Sequence, residues 1–188
     1  MGHAMKFVMK AVVVEEAGSG PALTGLAFNK KQIKDMHPVA DALAAKDGGH
    51  NKFLESIVLW IDVTAPRYWW QEADTYRVGS TKQSESTMHT LIKEVRDGID
   101  SDAFEPGSVT PEQKQAMEDA LAQGDAEICL VELKKRIPEG FLQRRMWCIN
   151  YKTLRNIYHQ RKNHRLPHWR VFLEDVLNQI SEPAWVVA

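Results

Sequence analysis

The apolar positions of this chain fall into two regimes: short β-branched runs in its first third, and apolar residues spaced by three and four toward its end. Lys6 to Glu15 is the first run, where Val12, Val13 and Val14 lead to the cluster Gly18-Ser19-Gly20-Pro21, so a strand followed by a loop is expected. Asp35 to Lys46 reads as a short helix with Pro38 in its first turn, Val39 and Leu43 at helical spacing, and Gly48-Gly49 as its stop. Ile57 to Val63 is rich in strand formers and reads as a central strand. It hands directly to a helix from Ala65 to about Ala73, with Thr64 as cap and Pro66 in the first turn. Val78 to Ser86 has the glycine, serine and threonine content of a loop that offers backbone N–H and hydroxyl donors to a ligand.

The second half is mostly helical in pattern. After a loop at Ser101 to Gly107, Thr110-Pro111-Glu112-Gln113 forms a capping box with proline at the first helical position, and that helix ends at Gly124. Three more helices are expected, from Asp125 toward Pro138, from about Glu139 through Trp147, and from Asn150 through Asn163. The clearest is the last in the chain, Pro167 to Ile180, where Trp169, Phe172, Leu173, Val176, Leu177 and Ile180 make one apolar stripe. The expected fold class is α+β: a small antiparallel or mixed sheet flanked by helices, one domain over residues 1–188, with a helical second half.

Composition narrows the classes. A chain of 188 residues buries roughly 70% of its unfolded surface and needs no disulfide staple. The two cysteines, Cys129 and Cys148, form no C-x-x-C, which points to reduced thiols in a cytoplasmic compartment. Apolar runs such as Ala11 to Val14 and Ile57 to Ile61 fall short of the roughly 18 to 20 residues that cross a bilayer. Met1-Gly2-His3-Ala4-Met5 has no basic region before an apolar core, so it is not expected to be a signal peptide and reads as a tag remnant.

The formal charge of −1 conceals a strong asymmetry. Between Lys134 and Arg170 stand eleven Lys and Arg against one acid, Glu139, a net of +10, and the remainder of the chain carries −11. Such a segregated segment is expected to meet an anion, with phosphate favoured over plain solvation of helix faces. It carries the aromatics Trp147, Tyr151, Tyr158 and Trp169, so stacking on a polynucleotide is a remote further possibility; their helical spacing fits a core better.

Familiar catalytic signatures are missing: no G-x-G-x-x-G, no G-x-x-x-x-G-K-[ST], no G-x-S-x-G and no H-E-x-x-H. His164 and His168 share a face only if one helix spans Pro167, which a proline discourages, so no metal site is expected there or at His159. The helix from Asn150 is more promising. Asn150, Lys152 and Asn156 occupy its first two turns and Arg161 its last, and amides and an ammonium beside a helix N-terminus suit a phosphate or a flavin as well as they suit an N-cap with solvated neighbours.

Three blocks together resemble the flavin-dependent thymidylate synthases, the ThyX family, over roughly His50 to Ile180. Gly49-His50 through Phe53 to Ala65-Pro66 is similar to the family's G-H-x-x-x-F/P-F-E-H block. Thr75-Tyr76-Arg77, with Gly79-Ser80 and Lys82-Gln83-Ser84-Glu85, stands where the family has R-H-R and A-S-Y-N-E-x-S. Arg136-Ile137-Pro138, Trp147, the run Asn150 to Asn156 and Arg161 resemble A-R-x-V-L-P … W-T-x-N-x-R-S-L-x-N-F-x-x-L-R without a gap. Departures are specific. Thr75 and Tyr76 replace the first two residues of R-H-R; Gln83, Glu85 and Thr87 replace the nucleotide-contacting glutamate, serine and arginine, although Ser84 and Ser86 flank the serine position. Lys134 replaces an arginine and keeps its charge without its bidentate fork, and the family's A-Q-x-E past Arg161 is absent.

The resemblance implies a flavin-dependent transfer of a one-carbon unit to C5 of a pyrimidine deoxynucleotide such as dUMP. It implies FAD as cofactor, NADPH and methylenetetrahydrofolate as co-substrates, and a homotetramer with sites between subunits. Carried over by position, it makes His50, Arg77, Asn150, Lys152 and Asn156 flavin contacts. Lys134, Gln83 and Ser84 become substrate contacts, and Arg161 the group that polarises the pyrimidine carbonyl. No protein nucleophile is needed, because the cofactor carries the one-carbon unit. The other reading of the same residues is a protein of this fold without turnover, a nucleotide-binding or interaction module, in which Arg161 is a helix-end salt bridge, His50 a loop histidine and Asn150 a plain cap.

Overall fold

The computed structural model describes residues 7–28, 35–98 and 102–188; the stretch Met1 to Met5, Lys6 of the first apolar run and Ser101 of the second loop lie outside them. The described chain runs β1 (Lys10–Ala17), α1 (Ser19–Ala27), α2 (His37–Ala44), a 3-10 turn (Lys52–Ser56), β2 (Val58–Pro66), α3 (Arg67–Ala73) and β3 (Ser80–Ser84). It continues through α4 (Thr87–Gly98), α5 (Pro111–Leu121), α6 (Ala126–Arg136), β4 (Leu142–Asn150), α7 (Tyr151–Arg161), α8 (Pro167–Leu177) and α9 (Pro183–Val187). The class is α+β, with the four strands in one antiparallel sheet of order β1-β2-β4-β3. Register between β2 and β4 is set at both ends, where Tyr151 N donates to Ile57 O (2.9 Å) and Arg67 N to Phe141 O (3.0 Å).

Where the expectation rested on side chains that cap or pack within one element, it holds. Thr110 and Gln113 close a reciprocal capping box on α5, Asp125 caps α6 through Glu127 N and Ile128 N, and Asn150 caps α7. Five of the six stripe residues expected on the helix from Pro167 are buried, Leu177 being half-exposed; that helix, α8, ends at Leu177 rather than Ile180 and is followed by α9, and α7 and α8 are separate helices with His164 between them.

Four local expectations are overturned. Glu139 through Trp147 is not a helix: its second half belongs to β4, where Trp147 and Ile149 are buried and Met146, Cys148 and Asn150 between them are not. Gln143, Arg144 and Arg145 favour a helix locally, but pairing to strands on both sides decides the conformation. The glycine-serine stretch after Ala17 is the first turn of α1 rather than a loop. Gly18 takes φ +104° as its cap, and Pro21 sits in the turn where amide donors have no intrahelical partner anyway. Thr64 caps nothing, because β2 continues to Pro66; a residue that precedes proline is kept extended, so Ala65 stays in the strand and α3 starts at Arg67. The donor-rich stretch from Val78 contains the edge strand β3, joined to β4 by Asn150 N to Gly79 O (3.2 Å) and Glu85 N to Arg144 O (3.3 Å).

The chain divides into two units, one of Thr64–Asp74 and Ser84–Arg145 with residues 7–9, the other of Lys10–Val63, Thr75–Gln83 and Met146–Ala188. In the first, α4, α5 and α6 pack around Leu91, Val95, Met117, Leu133 and Phe141. Glu105 is buried there and accepts from Val8 N (2.8 Å) and from the Tyr68 hydroxyl; burial first, then this carboxylate, pushes the Tyr68 pKa well up and keeps the phenol protonated. In the second, α8 covers the edge strand β1 with side chains that take its backbone groups. Asp175 accepts from Ala11 N (3.2 Å), Gln179 accepts from Val13 N (3.0 Å), and Gln179 Nε2 donates to Ala11 O (2.9 Å). Both cysteines are free thiols, and no described helix is long and apolar enough to cross a membrane.

Gly18 gives a test of this architecture. A Cβ there meets the Ser56 carbonyl oxygen at 2.1 Å and the backbone is left-handed, whereas Gly25 inside α1 has nothing within 4 Å. Gly18→Ala is expected to lower the urea midpoint clearly, by about 2 kcal/mol or more of strain and clash, while Gly25→Ala leaves it unchanged or raises it by up to about 1 kcal/mol. Equal midpoints for the two variants would contradict the docking of α1 on the 3-10 turn.

Candidate functional site

The junction from β4 to α7 builds a cavity of the second unit. Asn150 ends the strand in an extended conformation, and its side-chain oxygen accepts from Thr153 N (2.8 Å), which starts the helix. Thr153 in turn donates its hydroxyl to Val78 O (2.8 Å). Gly79 passes so close that a Cβ on it would stand 2.5 Å from Asn150 Nδ2 and 2.6 Å from Thr153 Oγ1, and its φ is +62°. Only glycine fits this approach without strain.

Around that junction lies an open cavity of about 620 Å³, lined by residues 75–79 on one side and by Asn150, Lys152, Thr153 and Asn156 on the other, with Glu55 beside Lys152. Its size is that of a small-molecule or cofactor site. Lys152 Nζ lies 2.6 Å from Glu55 Oε1, an exposed pair of little energetic weight. Arg77 is exposed and has no ion-pair partner among the described residues, so the lining carries two cations against one carboxylate. Asn150 spends Oδ1 on the cap and keeps Nδ2 as a donor; Asn156 accepts from Gln160 through Oδ1 (3.0 Å) and likewise keeps its amide N–H groups.

Four of the sequence-predicted residues, Arg77, Asn150, Lys152 and Asn156, therefore meet at one cavity. Arg161 does not line it. It sits on the last turn of α7, donates from Nε to the Tyr76 hydroxyl (2.8 Å), lies 2.8 Å from His164 Nε2 through Nη1, and rests over the Trp169 ring at 4.9 Å. Because Tyr76 does line the cavity, Arg161 touches its wall from behind. His50 is exposed in the turn after α2 and is not part of the lining. Gln83 and Ser84 are exposed at the end of β3, also outside it. Lys134 belongs to the first unit, where it lines a separate cavity of about 280 Å³ with Arg67, Thr87 and Gln143.

Within each unit, several cations of the basic segment have an acid beside them. Lys135 and Arg136 pair with Glu132 on their own helix, Arg145 with Asp74, Lys152 with Glu55, and Arg155 lies 3.9 Å from Asp47. Trp147, Tyr151 and Trp169 are fully buried and serve the core, so they offer no stacking platform to a polynucleotide. Sequence reasoning missed Glu55, Thr153 and Arg67. Glu55 is on a 3-10 turn with no motif, Thr153 has the right position to receive a cap but nothing that announces its hydroxyl bond, and Arg67 was masked by the helix start placed too early.

Gly79 and Gly107 make a matched pair for testing the junction, since both have left-handed backbone, φ +62° and +77°, but only Gly79 has neighbours a Cβ would strike. Gly79→Ala is expected to lower the melting temperature by several degrees more than Gly107→Ala. Equal losses would mean that strain alone acts at Gly79 and that the α7 start can withdraw from it.

No family model and no curated protein sequence matches the chain. Solved structures do. Thymidylate synthase X (ThyX) from Helicobacter pylori with FAD and dUMP superposes with a TM-score of 0.71 at 12% identity, covering 95% of this chain and 96% of that one. A second structure of the flavin-dependent thymidylate synthase ThyX from Helicobacter pylori, complexed with FAD and dUMP, gives 0.68 at 12% identity, with 95% and 98% covered. Identity at this level speaks to the fold, and on that evidence the chain has the fold of the flavin-dependent thymidylate synthase ThyX over nearly its whole length.

Proposed function

We propose that the protein is a flavin-dependent enzyme that transfers a one-carbon unit to C5 of a pyrimidine deoxynucleotide, as a thymidylate synthase does. The observation that carries this reading is the convergence of Arg77, Asn150, Lys152 and Asn156, which the family resemblance assigns to flavin, on one cavity in a chain of ThyX fold. The cavity fits such a cofactor in kind. Gly79 leaves bare backbone where any side chain would fill the space, and the lining offers cations and amide donors of the sort that phosphate and ring-carbonyl oxygens accept. FAD when bound supplies the redox and one-carbon carrier chemistry, with methylenetetrahydrofolate and NADPH as co-substrates.

This chain's own residues bind and orient. Arg77 and Lys152 set the positive potential of the cavity, and the amides of Asn150 and Asn156 fix the plane of a bound ring. Arg161, held in direction by the Tyr76 hydroxyl and the Trp169 ring, is the cation that polarises the pyrimidine carbonyl. His50, Gln83 and Ser84, exposed on the single chain, take their parts from the surface in a homotetramer whose sites lie between subunits. The second reading, a nucleotide-binding module without turnover, draws on two features: Lys152 has Glu55 beside it, and Thr75 and Tyr76 stand where the family has R-H-R residues.

The two readings separate in one experiment. The purified protein is incubated with FAD, NADPH, methylenetetrahydrofolate and each pyrimidine deoxynucleotide, and the products are weighed by mass spectrometry. A gain of one carbon on the base is expected, together with flavin absorbance on the protein; unchanged masses throughout sink the enzyme reading. Lys152→Met is expected to weaken flavin uptake roughly tenfold. Arg161→Ala is expected to abolish transfer while flavin absorbance stays, and full activity in that variant would remove Arg161 from the reaction.

A further inference from the structure

The last turn of α7 departs from the family pattern at a position that reaches the site. Gln160 stands where N-x-R-S-L-x-N-F-x-x-L-R has its second leucine, and Tyr76 stands where R-H-R has its histidine. A leucine side chain makes no hydrogen bond, so any contact made through the Gln160 amide belongs to this chain rather than to the pattern. Both side chains join one series of hydrogen bonds within the second unit. Arg161 Nε donates to the Tyr76 hydroxyl oxygen (2.8 Å), the Tyr76 hydroxyl donates to Gln160 Oε1 (2.9 Å), and Gln160 Nε2 donates to Asn156 Oδ1 (3.0 Å). Asn156 lines the cavity of about 620 Å³.

The direction of the series has one source. A hydroxyl donates or accepts, and a side-chain amide can turn either end to a neighbour, so Tyr76, Gln160 and Asn156 have no fixed polarity of their own. A guanidinium only donates. With Arg161 Nε on its oxygen, Tyr76 turns its proton to Gln160. That occupies the Gln160 carbonyl and leaves Nε2 for Asn156, which gives up Oδ1 and shows Nδ2 to the cavity. The anchor is firmly placed. Arg161 Nη1 lies 2.8 Å from His164 Nε2, its guanidinium rests over the Trp169 ring at 4.9 Å, and the buried Tyr76 ring meets Trp169 edge-on at 5.9 Å. Asn156 and Gln160 stand four apart on α7, the spacing at which such amides meet. Bonds aligned head to tail also polarise one another.

We infer that Tyr76 and Gln160 are positioning residues that fix Asn156 as a hydrogen-bond donor toward the cavity. They thereby select a ligand ring whose edge at Asn156 carries an acceptor, either a carbonyl oxygen or an unprotonated ring nitrogen. That the ring is a flavin rests on the function proposed above; the polarity at Asn156 does not.

Two substitutions at one position test this. Gln160→Glu keeps the acceptor for Tyr76 and removes the donor for Asn156, so the new carboxylate accepts from Asn156 Nδ2 and turns Oδ1 into the cavity. Gln160→Leu removes both groups and leaves the Asn156 amide free to turn. FAD uptake by the full chain is followed through flavin absorbance at about 1 M salt, where the screening length of about 3 Å suppresses the effect of the added charge. Uptake is expected to weaken about tenfold or more in Gln160→Glu and about threefold or less in Gln160→Leu and in Tyr76→Phe. Gln160 is exposed, so both of its variants are expected to melt within about 2 °C of the wild type. Wild-type affinity in Gln160→Glu, or equal losses in Gln160→Glu and Gln160→Leu, overturns the positioning role and leaves the proposed function standing. Wild-type affinity in Tyr76→Phe overturns the part given to Tyr76. The polarity is also read without a ligand, from the side-chain amide resonances of Asn156, identified by their loss in Asn156→Asp. One of these protons is expected to move downfield in Gln160→Glu as it enters a bond to the carboxylate. A wild type that takes up no flavin overturns the proposed function, and the resonance then decides alone: a downfield shift in Gln160→Glu supports the positioning role, and an unmoved proton overturns it.

Discussion

Everything at the larger cavity hangs on one residue that serves a strand and a helix at once. Asn150 completes the ladder of β4 through its backbone, donating to Gly79 O, and begins α7 through its side chain, accepting from Thr153 N. The next amide, that of Tyr151, donates to Ile57 O on the opposite neighbour. Two backbone hydrogen bonds at consecutive positions therefore tie the start of α7 to both flanking segments, and the cap fixes its first turn. An N-cap contributes about 1 kcal/mol by itself. Its larger consequence here is geometric, because the direction in which α7 leaves the sheet decides that Lys152 and Asn156 face the turn carrying Arg77.

The charges follow a similar logic of local compensation. In sequence, the segment from Lys134 to Arg170 is overwhelmingly basic, yet in space Lys135, Arg136, Arg145, Lys152 and Arg155 each have an acid beside them, from their own helix or from a segment distant in the chain. Two of the candidate residues lack an acidic partner of this kind among the described residues. Arg77 is without an ion-pair partner among the described residues, and Lys134 has a neutral hydroxyl as partner. Arg161 is held by the Tyr76 hydroxyl, by His164 and by the face of the Trp169 ring.

Elements whose instructions are local were legible in the sequence. The box Thr110 to Gln113, the caps Asp125 and Asn150, the proline that starts α8 and the stripe from Trp169 to Ile180 each act within a turn or two of chain, so residue type and spacing suffice to place them. The same holds for part of the candidate site: Lys152 and Asn156 stand four apart on one face of α7, Asn150 caps that helix, and Arg77 joins them through a motif position. Helix α4, whose buried Leu91 and Val95 stand four apart, is an element the sequence reading did not place.

What the tertiary structure decided are the elements whose stability comes from partners far along the chain. Leu142 to Asn150 has helix-forming residues and becomes a strand because β2 and β3 take up its backbone donors and acceptors. Ser80 to Ser84 has little intrinsic preference for a strand and becomes one by pairing with β4. Arg67 reaches a cavity with Lys134 only because Pro66 holds β2 extended for its last residues and Phe141 then receives the Arg67 amide. Sequence alone determined the caps, the stripes and one helical half of the site. Strand pairing, whose hydrogen bonds here join residues far apart in the chain, from Glu85 with Arg144 to Ile57 with Tyr151, and leave no periodic trace in either segment, determined the rest.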